Sequence, residues 1–199
     1  MRDNQYTVDG RIRFSEVDHT RRITLPGIVN YFQDCSTFQS EDIGLGIVHC
    51  SERKRAWILS SWQVVVERYP EMGEKIQTST WATDFKGLFG ERNFCMTDEN
   101  GNDVAYANSL WVYMDMEKGR PSKPEESEIA PYGVGDPERY RFRKRAKSWK
   151  AFRSADIIST RMNMSTTASM CRWHWRPFQK TKKYGRCVWN IRNQQYMVI

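Results

Sequence analysis

The first part of the chain carries two hydrophobic periods, one typical of strands and one typical of helices. Residues 6–14 alternate between polar and apolar side chains and predict a first strand. Apolar side chains then recur at every third or fourth position over residues 25–38, which predicts a long α-helix. Thr24 can cap this helix, Pro26 suits its first turn, and Gly44 can end it.

From Ala56 onward the period changes to two, and β-favouring residues dominate. Four long strands are predicted, over residues 56–70, 75–85, 88–101 and 103–117. One strand, one long helix and a meander of antiparallel strands form an α+β order. The economical packing for this order wraps the sheet around the helix.

Periodicity stops after these strands. Residues 119–140 are rich in proline, glycine and glutamate and are interpreted as a linker. Residues 141–199 show neither period, and their aromatic and polar residues define no face. The sequence therefore predicts a folded domain over residues 1–118, a linker, and an irregular tail.

Charge divides the chain at the same place. Residues 1–140 hold 16 lysines and arginines against 23 acids, a net charge of −7. Residues 141–199 hold 15 basic residues against one acid, Asp156, a net charge of +14. A basic tail interleaved with tryptophan and tyrosine is typical of single-stranded nucleic-acid binding or of an anionic membrane surface.

The cysteines indicate the compartment. Five scattered cysteines form no CxxC pair and no metal-ligand spacing with the three histidines. No stretch approaches the length of a membrane span, and the first residues hold no signal-peptide core. We expect a cytoplasmic protein in a reducing environment, with no metal and no cofactor.

Two segments, residues 14–46 (FSEVDHTRRITLPGIVNYFQDCSTFQSEDIGLG) and residues 57–81 (WILSSWQVVVERYPEMGEKIQTSTW), resemble the first half of the bacterial and plant acyl-ACP thioesterases. The resemblance covers about residues 6–135. It implies a hot-dog domain, a helix wrapped by an antiparallel sheet, over residues 1–118. It also implies hydrolysis of a fatty acyl thioester on acyl carrier protein (ACP), in fatty-acid biosynthesis.

The resemblance places the chemistry of that family mainly in a second hot-dog domain, on a D-x-N-x-H-V-N-N motif. A histidine there can activate water, and amide groups can stabilise the oxyanion. The motif is absent from this sequence, and His174 in the tail does not match it. The chain is therefore expected to be catalytically incomplete.

A shift of the reading frame by one base explains the missing motif. With permitted codon choices, residues 157–181 become a segment that contains D-T-N-E-H-V-N-N. Our hypothesis is that the chain from about Arg141 onward is a second hot-dog domain translated out of frame. On this hypothesis the basic charge is an accident of codon composition, and no specific nucleic acid or membrane is bound.

Within the first domain, Asp34 is the candidate catalytic residue, because it aligns with a glutamate of the out-of-frame repeat. A surface or capping role is the alternative for Asp34. Asn30, Tyr31, Trp57 and Trp62 are candidates for an acyl pocket, with core packing as the alternative.

Structural roles are expected for the other acidic residues of the domain. Glu16 and Asp18 lie in the loop before the helix, where solvated or capping roles are expected. Residues 98–103 resemble a calcium loop in composition, but they are interpreted as a hairpin turn. A single hot-dog domain should expose an apolar edge, which predicts self-association. A non-catalytic acyl-binding module is the alternative function.

Overall fold

The predicted long helix, α1, spans Leu25–Asp42. The computed structural model describes residues 4–136 and the backbone of residues 179–183 and 186–192. The Thr24 side chain accepts a hydrogen bond from the Gly27 amide (3.2 Å), and Pro26 lies in the first turn. Gly44, with φ of +76°, follows the end of the helix. Both predicted ends of α1 are confirmed, and a short helix α2 follows at Ile47–Arg53.

An antiparallel sheet wraps α1, as predicted. Among the described residues the strand order is β1-β3-β4-β5-β2-β8-β7, and β6 pairs with β5. The strands are β1 (Tyr6–Arg11), β2 (Arg55–Val66), β3 (Lys75–Lys86), β4 (Phe89–Asp98), β5 (Asp103–Asp115), β6 (Arg120–Pro121), β7 (Gln179–Lys183) and β8 (Arg186–Arg192). The α+β hot-dog architecture is therefore confirmed.

Two segments of the basic tail add strands to this sheet. β8 pairs antiparallel with β2, with Ser61 opposite Arg192 and Val66 opposite Cys187. β7 pairs with β8 on its other side. The sequence pattern gave no sign of these strands. Most of residues 157–181 lies outside the described residues, so the out-of-frame hypothesis stays a prediction.

The core lies between α1 and the concave face of the sheet. Its centre is an aromatic group of Phe32 from α1, Trp62 from β2 and Phe94 from β4. The ring centroids of Trp62 and Phe94 are 5.0 Å apart, and those of Phe32 and Phe94 are 5.3 Å apart. All three side chains are fully buried, and burial of such a side chain contributes about 1.5–3 kcal/mol.

Residues 119–136, called the strap below, pack against the domain. Ile129 contacts the core, and Tyr132 is buried. The Gly135 amide donates to the Ala82 carbonyl (2.9 Å), which extends the pairing at the edge of β3. The strap comprises most of the residues interpreted as a linker, so packed structure continues beyond residue 118.

No helix among the described residues is long and apolar enough to cross a membrane.

Candidate functional site

Four side chains meet where the loop before α1 folds back on the helix: Arg13, Glu16, Tyr31 and Asp34, called the Tyr31 cluster below. The Tyr31 hydroxyl lies 2.9 Å from both the Arg11 carbonyl oxygen and Glu16 Oε2. Glu16 also accepts hydrogen bonds from the Arg13 backbone amide (2.8 Å) and from Arg13 Nε (2.9 Å). Glu16 and Tyr31 are therefore held by several short-range contacts.

Gly10 makes room for this arrangement. A Cβ atom at Gly10 would lie 3.0 Å from Cε1 of the Tyr31 ring, tighter than ordinary contact. Burial raises the pKa of Tyr31 to about 12, and its hydrogen bond to Glu16 acts in the same direction. Tyr31 is therefore a neutral hydrogen-bond donor at neutral pH.

Asp34 and Arg13 are the exposed members of the cluster, whereas Glu16 and Tyr31 are half-buried. Partial burial of its carboxyl group raises its pKa, and nearby Glu16 acts in the same direction. Arg13 opposes both effects. A carboxyl group with a raised pKa and an exposed face has the character of a general base.

The exposed side of α1 combines polar and apolar residues. Asn30, Asp34 and Phe38 follow one another at helical spacing, and all three are exposed. Phe38 is 48% exposed, and Phe14 in the preceding loop is 83% exposed. This face of the domain could contact a second domain or a ligand.

A small cavity lies at the other end of α1, and Trp57 forms part of its wall; we call it the Trp57 cavity. Its volume is about 20 Å³, which is room for about one water molecule. The Gly90 Cα has little space beside it, because a Cβ there would lie 3.1 Å from the Trp57 ring. The cavity is lined by Ser40, Trp57, Ala82, Phe85, Gly90, Glu91, Arg92, Trp111 and Tyr132.

The predicted acyl-pocket residues do not lie together. Trp57 borders the cavity, whereas Trp62 is closed within the aromatic core. Asn30 and Tyr31 lie on the N-terminal half of α1, near Asp34. An acyl role for these residues remains a prediction.

Two residues of the cavity, Arg92 and Tyr132, were not found from the sequence. Arg92 is a charged residue in the inward-facing register of β4, between Gly90 and Phe94, and this break in the pattern was a signal. Tyr132 lies in the strap, where the composition gave no indication of packing. Its hydroxyl lies 2.9 Å from Ser40 Oγ.

The remaining candidates have structural roles. Asp98 Oδ1 accepts from the amides of Asn100 and Asn102, both at 2.9 Å, so the calcium-like residues build a hairpin turn. Asp18 Oδ1 accepts from the Thr20 amide (2.8 Å) and hydroxyl, which also stabilises a turn. Within the described part of the chain, no group of three or more potential ligands could hold a metal ion.

The family model for the N-terminal domain of acyl-ACP thioesterases matches residues 3–132. The chain belongs to the acyl-ACP thioesterase family. The match covers β1 through most of the strap, including the Tyr31 cluster and the Trp57 cavity. It ends before the basic tail begins.

Plant thioesterases are among the relatives of this family member. An acyl-[acyl-carrier-protein] hydrolase from Cuphea viscosissima is 30% identical over 133 residues, which are 62% of this chain and 32% of that protein. A palmitoyl-acyl carrier protein thioesterase from Arabidopsis thaliana is 29% identical over 133 residues, again 62% of this chain and 32% of that protein. The chain therefore spans about a third of the length of the curated relatives it matches.

Solved structures agree with the fold. An acyl-ACP thioesterase from Bacteroides thetaiotaomicron superposes with a TM-score of 0.65 and 26% identity, covering 72% of this chain and 58% of that one. A 12:0-ACP thioesterase from Umbellularia californica gives a TM-score of 0.59 at 23% identity, over 75% of this chain and 63% of that one. At that identity the second likeness supports the fold alone.

Proposed function

We propose that this chain is the first hot-dog domain of a fatty acyl-ACP thioesterase, and that the chain as printed is catalytically incomplete. The observation that carries the proposal is the match of residues 3–132 to the N-terminal domain of the family. The reaction would release free fatty acid from acyl-ACP, in fatty-acid biosynthesis. The absence of a D-x-N-x-H-V-N-N motif from the sequence supports the incompleteness.

The described residues supply part of what thioester hydrolysis needs. The reaction needs a base that activates water and donors that stabilise an oxyanion. Asp34 is an exposed carboxylate that could act as the base. Glu16 and Tyr31 are occupied by each other and by the Arg11 carbonyl, so they would position the loop rather than react.

The histidines among the described residues are poorly placed to activate water. His19 is exposed in the loop before α1, and His49 lies on α2, where its Nε2 atom is buried without a partner. Neither belongs to the Tyr31 cluster. The histidine that the reaction needs would therefore come from a second domain.

We infer that the second domain is encoded out of frame after the Tyr140 codon. The match to the N-terminal domain ends at residue 132, and the chain covers only 32% of a plant relative. The nucleotide sequence around that codon tests the inference directly. If no one-base shift there opens a frame that encodes the motif, the inference is wrong.

An activity assay tests the proposed function itself. The 199-residue chain should release no thiol from acyl-ACP above the uncatalysed rate. A version with the restored reading frame should hydrolyse acyl-ACP catalytically. Asp34→Asn in the restored version should lower kcat if Asp34 takes part in the reaction. A matched control is Asp42→Asn, at the exposed end of the same helix. Absence of turnover in the restored version would contradict the thioesterase proposal.

An acyl-binding module without turnover is the second candidate. It is favoured by the match of residues 3–132 to the N-terminal domain of the family together with the absence of the D-x-N-x-H-V-N-N motif. A binding module predicts saturable binding of acyl-ACP by the printed chain without hydrolysis. Trp57→Ala should weaken that binding if Trp57 lines the acyl pocket, as the sequence predicts.

Partners and location follow from the same proposal. The substrate carrier would be ACP, the compartment would be the cytoplasm, and neither nucleic acid nor a membrane would be a specific partner. Self-association is proposed because Phe14 and Phe38 expose apolar surface. Size-exclusion chromatography with light scattering should give a dimer or a larger species, and a monomer at all concentrations would overturn the self-association.

A further inference from the structure

Arg92 is a buried cation on the concave face of the sheet. Its side chain projects from β4 toward the last turn of α1, and the residue is only 7% exposed. Nη1 donates to Gln39 Oε1 and to Thr80 Oγ1 (3.1 Å). The guanidinium carbon lies 5.2 Å from the centroid of the Tyr132 ring.

No carboxylate neutralises this charge within the described part of the chain. Arg55, the other arginine of the described residues that is not exposed, pairs with Asp115 (3.1 Å), but no ion pair there includes Arg92. Tyr132 and Cys35 are the ionisable groups whose charge acts on the pKa of Arg92. Burial raises the pKa of both, so both are neutral at neutral pH.

Dipoles compensate Arg92 only in part. Gln39 and Ser40 belong to the last turn of α1, where the helix presents about half a negative charge. The Tyr132 ring face adds a cation–π contact. A buried charge without a full counter-charge is costly, so an anion held beside Arg92 would be favourable.

The Trp57 cavity lies against the part of Arg92 that remains without an acceptor. Among residues 4–136, no acceptor is found for Nε or Nη2 of Arg92, and Arg92 lines the cavity. The other walls include the rings of Trp57, Phe85 and Trp111, and one acidic residue, Glu91, which forms no ion pair with Arg92. Aromatic ring edges carry partial positive charge, so such walls tolerate an anion where edges face it.

We propose that the Trp57 cavity binds one small inorganic anion, of the size of chloride, as the counter-ion of Arg92. The volume of about 20 Å³ suits about one small particle. A water molecule would fill the same space and accept the same hydrogen bonds, but it would leave the charge uncompensated. This site is separate from the thioesterase proposal and stands if that proposal fails.

Thermal unfolding of the full chain tests the site. At constant ionic strength, replacement of gluconate by chloride should raise Tm in a saturable manner by about 3–5 °C, as expected for a ligand that binds only the folded state. Bromide should act like chloride, and the larger sulfate should not. Equal Tm values in gluconate and chloride would overturn the proposal.

Matched variants locate the effect. Arg92→Gln should abolish the chloride dependence, whereas Arg55→Gln, which loses a half-buried guanidinium elsewhere, should keep it. An unchanged chloride dependence in Arg92→Gln would place the anion elsewhere, for example on the basic tail, and would overturn the proposal.

A second measurement needs no variant. Crystals grown or soaked in bromide should show an anomalous scattering peak within hydrogen-bond distance of Arg92 Nη2 or Nε. An ordered solvent molecule there without anomalous signal would show that water alone fills the cavity, and the proposal would be wrong.

Discussion

At the scale of single residues, Gly10 controls how closely β1 can approach α1. Its missing side chain leaves space for the Tyr31 ring, whose Cε1 would lie 3.0 Å from an added Cβ. Tyr31 in turn fixes Glu16 and the loop that carries Arg13. The geometry around Asp34 thus depends on a glycine in another element.

Gly10→Ala should destabilise the domain by about 1–3 kcal/mol, the usual cost of overpacking. Urea unfolding of the single variant gives this value. In a Tyr31→Ala background the same change should cost much less, because the crowded ring is gone. An equal cost in both backgrounds would show that the Tyr31 contact is not the cause.

Asp34 should report its raised pKa through the pH dependence of stability. Because this pKa is higher in the folded chain than in the unfolded one, the folded state binds the proton more tightly. The carboxylate therefore costs stability above the unfolded pKa of about 3.9, and the cost disappears at lower pH. Asp34→Asn should raise the free energy of unfolding at pH 7 and leave it unchanged near pH 3.

Urea unfolding of Asp34→Asn at both pH values measures this difference. Asp18→Asn is the control with the opposite sign, because hydrogen bonds from Thr20 lower the pKa of Asp18 in the folded chain. That variant should lose stability at pH 7 relative to the parent. If both variants changed the free energy of unfolding at pH 7 in the same direction, at least one of the two pKa shifts would be wrongly assigned.

At the scale of elements, the N-cap of α1 is a local device with a measurable effect. Thr24→Ala removes the acceptor of the Gly27 amide and should cost about 1 kcal/mol. Thr24→Ser keeps the hydroxyl and should cost little. Chemical unfolding of the three proteins gives the comparison, and equal losses in both variants would assign the effect to the Thr24 methyl group instead.

Elements with local signals were predicted closely. The ends of α1 follow from Thr24, Pro26 and Gly44, which act on their immediate neighbours. The predicted end of β2 at Pro70 was too late, because the amides of Glu67 and Arg68 both bond to the Val104 carbonyl and the ladder stops at Val66. The residue at which a strand stops pairing depends on its partner strand, so the sequence of one segment does not reveal it.

The cavity was predicted less well for a related reason. Trp57 was identified because its type suits an apolar pocket, but the other walls come from distant segments. Tyr132 reaches Ser40 across 92 positions of sequence. A contact between residues so far apart in sequence depends on how the strap crosses the sheet. Neither the helical nor the strand periodicity of hydrophobic residues predicts it.

At the scale of the whole molecule, charge is divided between a folded domain and its tail. The net charge of +7 is the sum of an acidic first part and a strongly basic remainder. If the basic character has no specific partner, its attraction to polyanions should be independent of sequence and steeply dependent on salt.

Truncation after Tyr140 should abolish retention on heparin or DNA, and the full chain should elute at moderate salt. Circular dichroism of the truncated protein checks that the domain remains folded without β8 beside β2. Retention that persists after truncation, or a marked preference of the full chain for one nucleic-acid sequence, would contradict the interpretation of the tail.

The hydrogen bond from Asn4 Nδ2 to the Val134 carbonyl (3.1 Å) has an evolutionary consequence. It brings the residues just before β1 and the end of the strap side by side, although 130 positions separate Asn4 from Val134. A unit whose two ends meet can be duplicated within one gene, because a short connection suffices to join the copies without distorting either. A lineage of proteins built from repeated hot-dog units is therefore within easy reach of a single duplication event.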